Sequence, residues 1–303
     1  MLVNSFSNNQ TISIGNQDFD EYPKTTSKFW MKIDEMKKMN NHNPLFIKNI
    51  DYLKNSLEIS AWKRSRGDGN CYFRAVITSY LEKICKPYSP ISLLQNFERI
   101  IKSLNLADST IEYQDSVSHI SSVISTYLSK KLENDHLGVF TSALSSMQDS
   151  EFDLDLVRVA RLIAYTELIN SKEDPEYFVF FIDGIDSIVY DMLEMGKEGG
   201  DFSLIFLPKG LNAQVVQYMF LDTENRSVQC FPEKSNEDSV IISLIRRAAH
   251  YDILADKQEI ELDQCVIEQG TYNFTLDWGF YTRILQAIEK KKLRIEEINN
   301  LLN

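Results

Sequence analysis

Apolar positions recur along this chain at two spacings, and the change from one to the other divides it. Between residues 71 and 170 the spacing is three and four. Phe73, Val76, Ile77, Tyr80, Leu81 and Ile84 share one side of a helix that would begin at Cys71. Leu93, Leu94, Phe97, Ile100, Ile101 and Leu104 share a face of a second helix, and Val117, Ile120, Val123, Ile124, Tyr127 and Leu128 a face of a third. Leu156, Val159, Ala160, Ile163 and Leu168 continue the pattern. A period near 3.6 predicts amphipathic helices whose apolar faces meet in a core. Upstream, Phe29, Trp30, Ile33, Met36 and Met39 predict a helix over residues 26–39, and residues 44–57 a short second one.

From residue 202 the texture changes. The run Val240-Ile241-Ile242-Ser243-Leu244-Ile245 reads as a buried strand, residues 246–249 as a turn and residues 251–254 as a return strand. A further strand is expected over residues 228–231, after a turn-rich loop at 222–226. The apolar run at 202–207 is too short for its pattern to separate helix from strand. Helices first and strands clustered late predict an α+β domain, with a central, mostly antiparallel sheet flanked by a helical lobe. Its expected limits are residues 25–255. Residues 1–24, rich in Asn, Gln, Ser and Thr, predict a mobile polar arm. Residues 256–303 predict a helical extension, with Trp278, Tyr281, Ile284, Leu285 and Ile288 at helical spacing ahead of the basic run Lys290-Lys291-Lys292.

Composition narrows the function classes. The 303 residues are 43% hydrophobic, enough for a sizeable core, and carry a net charge of −12. That balance disfavours nucleic acid, because phosphate contacts need cationic side chains. No window approaches the roughly 18 uninterrupted apolar residues of a membrane span, and the first residues lack the basic-then-apolar pattern of a secretory signal. The expected location is the cytoplasm, the cell's own or a host's if the protein is a delivered effector. Cys71, Cys85, Cys230 and Cys265 stand far apart, without the paired spacing of a zinc site. In a reducing compartment they are free thiols. His119 and His136, within the helical run, are expected at the surface or at a helix cap.

Two short stretches carry candidate chemistry. The first is Arg66-Gly67-Asp68-Gly69-Asn70-Cys71-Tyr72-Phe73-Arg74-Ala75, a glycine-rich turn feeding a helix. A thiol at a helix start lies beside unpaired N–H groups and the positive end of the macrodipole, which favour the nucleophilic thiolate. The second is His250-Tyr251-Asp252-Ile253-Leu254. Residues two apart on a strand point to the same face, so Asp252 can orient the His250 imidazole and stabilise its charged form. That is the third-member role of a nucleophile–base–orienter triad. Each stretch alone is weak evidence, because a lone cysteine after a turn is more often a buried, inert one.

Together, in this order, the two stretches resemble the ovarian-tumour (OTU) family of cysteine deubiquitinases, in particular its otubain branch. Gln214-Val215-Val216-Gln217-Tyr218-Met219, Phe231-Pro232-Glu233 and Phe181-Ile182-Asp183-Gly184 add looser matches, so the resemblance spans roughly residues 63–254. It implies a papain-like OTU fold with a helix over residues 202–207 followed by a strand over residues 214–220. It implies Cys71 as nucleophile, His250 as base and acid, Asp252 as orienter, and an oxyanion hole built from the N–H groups of Asp68 and Cys71. Tyr251 would wall a narrow channel for two glycines. The implied partner is ubiquitin or polyubiquitin, with a ubiquitin-conjugating enzyme as a further one, and no metal or organic cofactor. The alternatives are an otubain-like protein that binds ubiquitin or a conjugating enzyme without catalysis, and a cysteine protease of other substrates. Two departures stand out. Arg246-Arg247-Ala248-Ala249 replaces the Pro-Gly that otubains often carry before the histidine, and the tail beyond Leu254 has no otubain counterpart.

Overall fold

The computed structural model describes residues 23–268 apart from 108, 182–183, 220–225 and 237–238, and leaves aside the side chains of 179–180 and 264–268. The expected polar arm, nearly all of the expected 222–226 loop and most of the expected C-terminal extension lie outside the described residues. The elements are β1 (Met31–Lys32), α1 (Pro44–Ser56), β2 (Ile59–Lys63), α2 (Cys71–Cys85), α3 (Ile91–Lys102), α4 (Ile111–Leu132), α5 (His136–Ser146), α6 (Ser150–Asn170), α7 (Asp186–Leu193), α8 (Gly200–Leu211), β3 (Ala213–Met219), β4 (Ser227–Phe231), β5 (Val240–Arg247), β6 (His250–Asp256) and α9 (Lys257–Glu268). Polar caps start two of the helices where the apolar pattern begins. Asn43 Oδ1 accepts from the N–H groups of Leu45 and Phe46 ahead of Pro44, and Asp149 Oδ1 from those of Glu151 and Phe152.

The strands form one six-stranded sheet in the order β1-β2-β6-β5-β3-β4. Only β3 and β5 run parallel; the other pairings are antiparallel. This is the α+β arrangement expected from the sequence, with the sheet covered on both faces. Val215, Ile242, Leu244, Ile253 and Ala255 pack into the core shared with α2–α8. Trp62, Val216, Ile245 and Leu254 turn to a second core with Ile33, Met36, Phe46, Ile50 and Leu53. The strand alternation therefore serves two apolar layers, which explains the unbroken hydrophobic run of β5.

Helix α2 lies deepest. One buried face is predicted, but every residue of α2 except Lys83 is buried. The helix is enclosed between the sheet and the lobe, so its polar side needs partners within the protein. Arg74 is paired with Asp68 and Asp153, and Glu82 accepts from Lys63 Nζ at 2.6 Å.

Two local expectations are corrected, over residues 26–39 and 246–249. Residues 26–39 are not one helix. The Ser27 N–H donates to Arg64 O and the Arg66 N–H to Thr25 O, so this segment spends its backbone bonds beside β2. Met31 and Lys32 pair with Trp62 and Ala61, and only residues 33–40 coil, as a 3₁₀ helix. Trp30 stays buried, as its size demands, under the Lys63 ammonium at 4.5 Å. The run at 202–207 lies inside α8, the helix that the resemblance implies there, and Phe206 and Leu207 are fully buried. The turn expected over residues 246–249 is only Ala248 and Ala249, because β5 extends to Arg247 and β6 begins at His250.

Helix α9 is held to the C-terminal end of α2 by charge. Lys86 Nζ, buried, donates to Glu259 Oε1 at 2.9 Å and Asp263 Oδ2 at 2.8 Å, and Tyr88 donates to Asp263 Oδ1 at 3.0 Å. Burial pushes the Asp263 carboxyl above the usual carboxylate range in spite of Lys86. Removing one partner from such a cluster leaves a desolvated charge uncovered. Lys86→Met is therefore expected to destabilise the fold by about 3–5 kcal/mol near pH 8. Lys83 still covers Glu259, so Asp263 is the exposed cost. A carboxyl whose folded pKa is raised loses stability as pH rises and regains it on protonation, so the penalty should shrink toward pH 5. Urea unfolding of both proteins at the two pH values checks this; equal stability at both would contradict it.

Candidate active site

The turn before α2 is fixed by side chains that the helix itself supplies. Arg74, one turn into α2, donates to Asp68 through Nη1 at 2.6 Å and Nη2 at 3.0 Å, and its Nε reaches Asp153 on α6 at 2.9 Å. Asp68 Oδ1 also accepts from the Asn70 N–H at 3.1 Å. Burial works to raise the Asp68 carboxyl, but the Arg74 bonds and charge hold it below its ordinary value. Asp153 lies deeper and is pushed up by burial to about 6.

Asn70 precedes α2 but does not cap it. Its Oδ1 instead accepts from the Gly196 N–H at 2.9 Å and from Arg161 Nη2 at 2.8 Å. Arg161, fully buried on α6, also reaches Met192 O at 2.7 Å and Lys197 O at 2.5 Å, with its guanidinium 4.1 Å from the Phe73 ring centroid. The segment after α7 is thus tied to the turn. Gly69 sits at φ +74°, and a Cβ there would lie 1.9 Å from Gly196 O. Only glycine satisfies both the backbone angle and the close approach.

Cys71 opens α2 and is 2% exposed, with its Sγ 3.8 Å from Ala249 O in the hairpin turn. Ala248 in that turn has φ +50°, a left-handed angle at which a Cβ costs about 1–2 kcal/mol. On β6, His250 Nε2 and Asp252 Oδ1 are 2.9 Å apart, the same-face placement expected from a strand. Asp252 Oδ1 also accepts from the Ser65 N–H at 2.9 Å, and Oδ2 meets Arg247 Nη2. Burial acts to raise the Asp252 carboxyl, but His250, Arg247 and the Ser65 N–H together hold it below the carboxylate range. Burial acts to lower the His250 imidazole. The bond to Asp252, with the charges of Asp252 and the nearby Cys71 side chain, outweighs this and raises it to about 9. Tyr251 turns to the other face, where its ring meets Tyr72 edge-on at 5.1 Å.

The structure therefore brings Cys71, His250, Asp252 and Asp68 to one place from elements far apart in sequence. Cys85 and Cys230 are buried elsewhere, and burial lifts their thiols to about 12 and about 11. Cys265 lies outside the described side chains. His119 Nδ1, 2.7 Å from Asp155 Oδ2, and His136, at the first position of α5, stand apart from the site. Among the described residues no cluster of His, Cys, Asp or Glu could hold a metal ion. Sequence reasoning missed Arg74, Asp153, Arg161, Ser65 and Arg247. A charged residue inside an otherwise apolar helix, as at positions 74 and 161, is the signal that could have found two of them.

The chain is 24% identical over 228 residues to OVARIAN TUMOR DOMAIN-containing deubiquitinating enzyme 1 of Arabidopsis thaliana, a match covering 67% of this chain and 72% of that protein. Its fold is similar to that of h/ceOTUB1 solved with ubiquitin aldehyde and UBC13~Ub. There the TM-score is 0.58 at 19% identity, over 77% of this chain and 91% of the other. With ubiquitin aldehyde and UBCH5B~Ub the corresponding values are 0.57, 19%, 77% and 90%. The family model described as Peptidase C65 Otubain matches residues 18–256. That match covers well over half of the chain, and the protein belongs to this otubain family of cysteine peptidases.

Proposed function

We propose that this protein is a thiol isopeptidase that cleaves after the C-terminal glycine of ubiquitin in lysine-linked conjugates or chains. The observation that carries the reading is the convergence of Cys71, whose Sγ lies 3.8 Å from Ala249 O, with the next residue, His250, whose Nε2 lies 2.9 Å from Asp252 Oδ1. In this reading the Cys71 thiolate attacks the glycine carbonyl carbon beside a His250 ring that already carries a proton at neutral pH. The oxyanion is met by the N–H groups of Asp68 and Cys71. Removing one such donor typically costs about two to three orders of magnitude. The intermediate collapses to a thioester, and His250 gives its proton to the departing lysine amine. Water, deprotonated by His250, then cleaves the thioester and restores the thiol.

A second reading, binding of ubiquitin or a conjugating enzyme without cleavage, is favoured by the complexes in which h/ceOTUB1 was solved. Hydrolysis separates the two. Under the isopeptidase reading, ubiquitin with a C-terminal fluorogenic group turns over, whereas the isolated tail peptide turns over poorly because remote contacts hold the tail in place. Tight binding of ubiquitin with no turnover would support the second reading.

Cys71→Ala and His250→Ala are expected to lower kcat by at least about three orders of magnitude, and Asp252→Ala by one to two orders less, because Asp252 moves no proton. Cys85→Ala and Cys230→Ala should leave kcat unchanged. From sequence alone, Asp252→Asn should retain more activity than Asp252→Ala, since an amide oxygen still accepts from His250. The structure reverses this expectation. An amide that accepts from His250 and Ser65 turns its NH₂ toward the Arg247 guanidinium, donor against donor, so Asp252→Asn should do no better than Asp252→Ala. Initial rates on the fluorogenic substrate check the series, and full activity in Asp252→Ala would remove Asp252 from the triad.

The His250 ring is expected to titrate near 9 by NMR, and lower in either Asp252→Ala or Cys71→Ala. A histidine whose folded pKa lies above its unfolded value adds stability that is complete below about pH 6.5 and is lost as pH rises through the folded pKa. Wild-type stability should accordingly fall between those pH values, and His250→Gln should lack that component. A His250 signal that titrates near 6.5 in all three proteins would contradict the reading.

A further inference from the structure

We infer that Arg247 is a positioning residue of the reaction, whose guanidinium fixes the Asp252 carboxylate as a permanently charged acceptor for His250. The inference rests on the thiol-isopeptidase reading above. Asp252 is 0% exposed, and its two oxygens are divided between partners. Oδ1 serves His250 and the Ser65 N–H, and Oδ2 serves Arg247. A carboxylate removed from water needs a lasting counter-charge. His250 cannot be that charge, because its role is to gain and lose a proton within each turnover. A guanidinium keeps its charge at every working pH. By occupying Oδ2 it also stops the carboxylate from turning, so Oδ1 stays directed at the imidazole.

The hairpin makes this geometry. Arg247 and His250 are register partners across the turn of Ala248 and Ala249, so the arginine lies beside the strand that carries both His250 and Asp252. Arg247 is largely enclosed, and its Nε is buried without a hydrogen-bond partner among the described residues, which leaves the Asp252 bond to anchor the fork. The neighbouring Arg246 is engaged differently, with Nε on Ala248 O at 3.2 Å and its guanidinium 5.7 Å from the Tyr251 ring centroid. The other titratable groups that act on this pair are His250 on β6 and, through His250, Cys71 on α2.

The test combines turnover with the reactivity of Cys71 toward iodoacetamide, each measured against pH. Arg247→Gln is expected to lower kcat about ten- to a hundredfold, the size of a hydrogen bond to a charged group, with KM changed less than about twofold. The acid limbs of kcat and of Cys71 alkylation should both move to higher pH, because without the guanidinium Asp252 takes up a proton more readily. In an Asp252→Ala background the same substitution should cost less than about a further twofold, since Arg247 acts through that carboxylate. Arg247→Lys keeps the charge and loses the fork. It should hold the wild-type acid limb with a kcat between the other two, and it is the variant to read if Arg247→Gln does not fold. A wild-type kcat and acid limb in Arg247→Gln overturns the inference. So does a loss that adds in full to that of Asp252→Ala, or, in either Arg247 variant, a raised KM at unchanged kcat, which would mark a substrate contact. Alkylation needs no ubiquitin. If the wild-type protein hydrolyses nothing, the isopeptidase reading fails, while the thiol profile still decides whether Arg247 governs the Asp252–His250 pair.

Discussion

A guanidinium closed off from solvent stands one helical turn beyond Cys71. Arg74 holds Asp68 with two nitrogens and Asp153 with a third, so one side chain joins the nucleophile turn, the central helix and α6. Burying a cation this deeply is unfavourable unless its donors are satisfied, and satisfying them dictates where the turn and α6 must lie. The planar fork adds direction, which a lysine at this position could not supply. Arg161 repeats the device one layer away through Asn70 and the carbonyls of Met192 and Lys197. The turn between β2 and α2 is thus held by an arginine of α2 and one of α6 as well as by its own backbone.

The same clamp arranges charge at the site. Under the isopeptidase reading, a loop that stabilises an oxyanion gains nothing from a free carboxylate beside it. Arg74 neutralises the Asp68 carboxylate and draws it into the protein, so the loop can present N–H groups without an opposing field. On the other side, the carboxylate of Asp252 is directed at His250 and balanced by Arg247. Asp68 and Asp252 therefore each have an arginine that sets the carboxylate's direction and holds its charge. The hairpin that brings Arg247 into place bends at Ala248, at a backbone angle that glycine would adopt more easily. That strain falls where the chain departs from the Pro-Gly expected of an otubain-like sequence, at the residue before Ala249, where a proline could not adopt this angle.

Much of this was written in local patterns. The 3.6-residue spacing after Cys71 placed a helix start at the thiol, and the His-x-Asp alternation placed two side chains on one strand face. Both follow from backbone geometry, which needs no knowledge of the rest of the chain. The apolar runs likewise determined which segments are helices and which are strands, because burial of each pattern is a property of the segment. Where the pattern was short, as at 202–207, or where sheet pairing competed, as at 26–39, local periodicity was insufficient. Only the tertiary structure decided that α2 is enclosed on all sides, that Arg74, Arg161 and Arg247 face carboxylates and carbonyls, and that Cys71 meets a histidine from the far end of the sequence. Spacing along a chain encodes which residues share a face. The partner of a buried charge is fixed by which faces pack together, and that is a property of the whole fold.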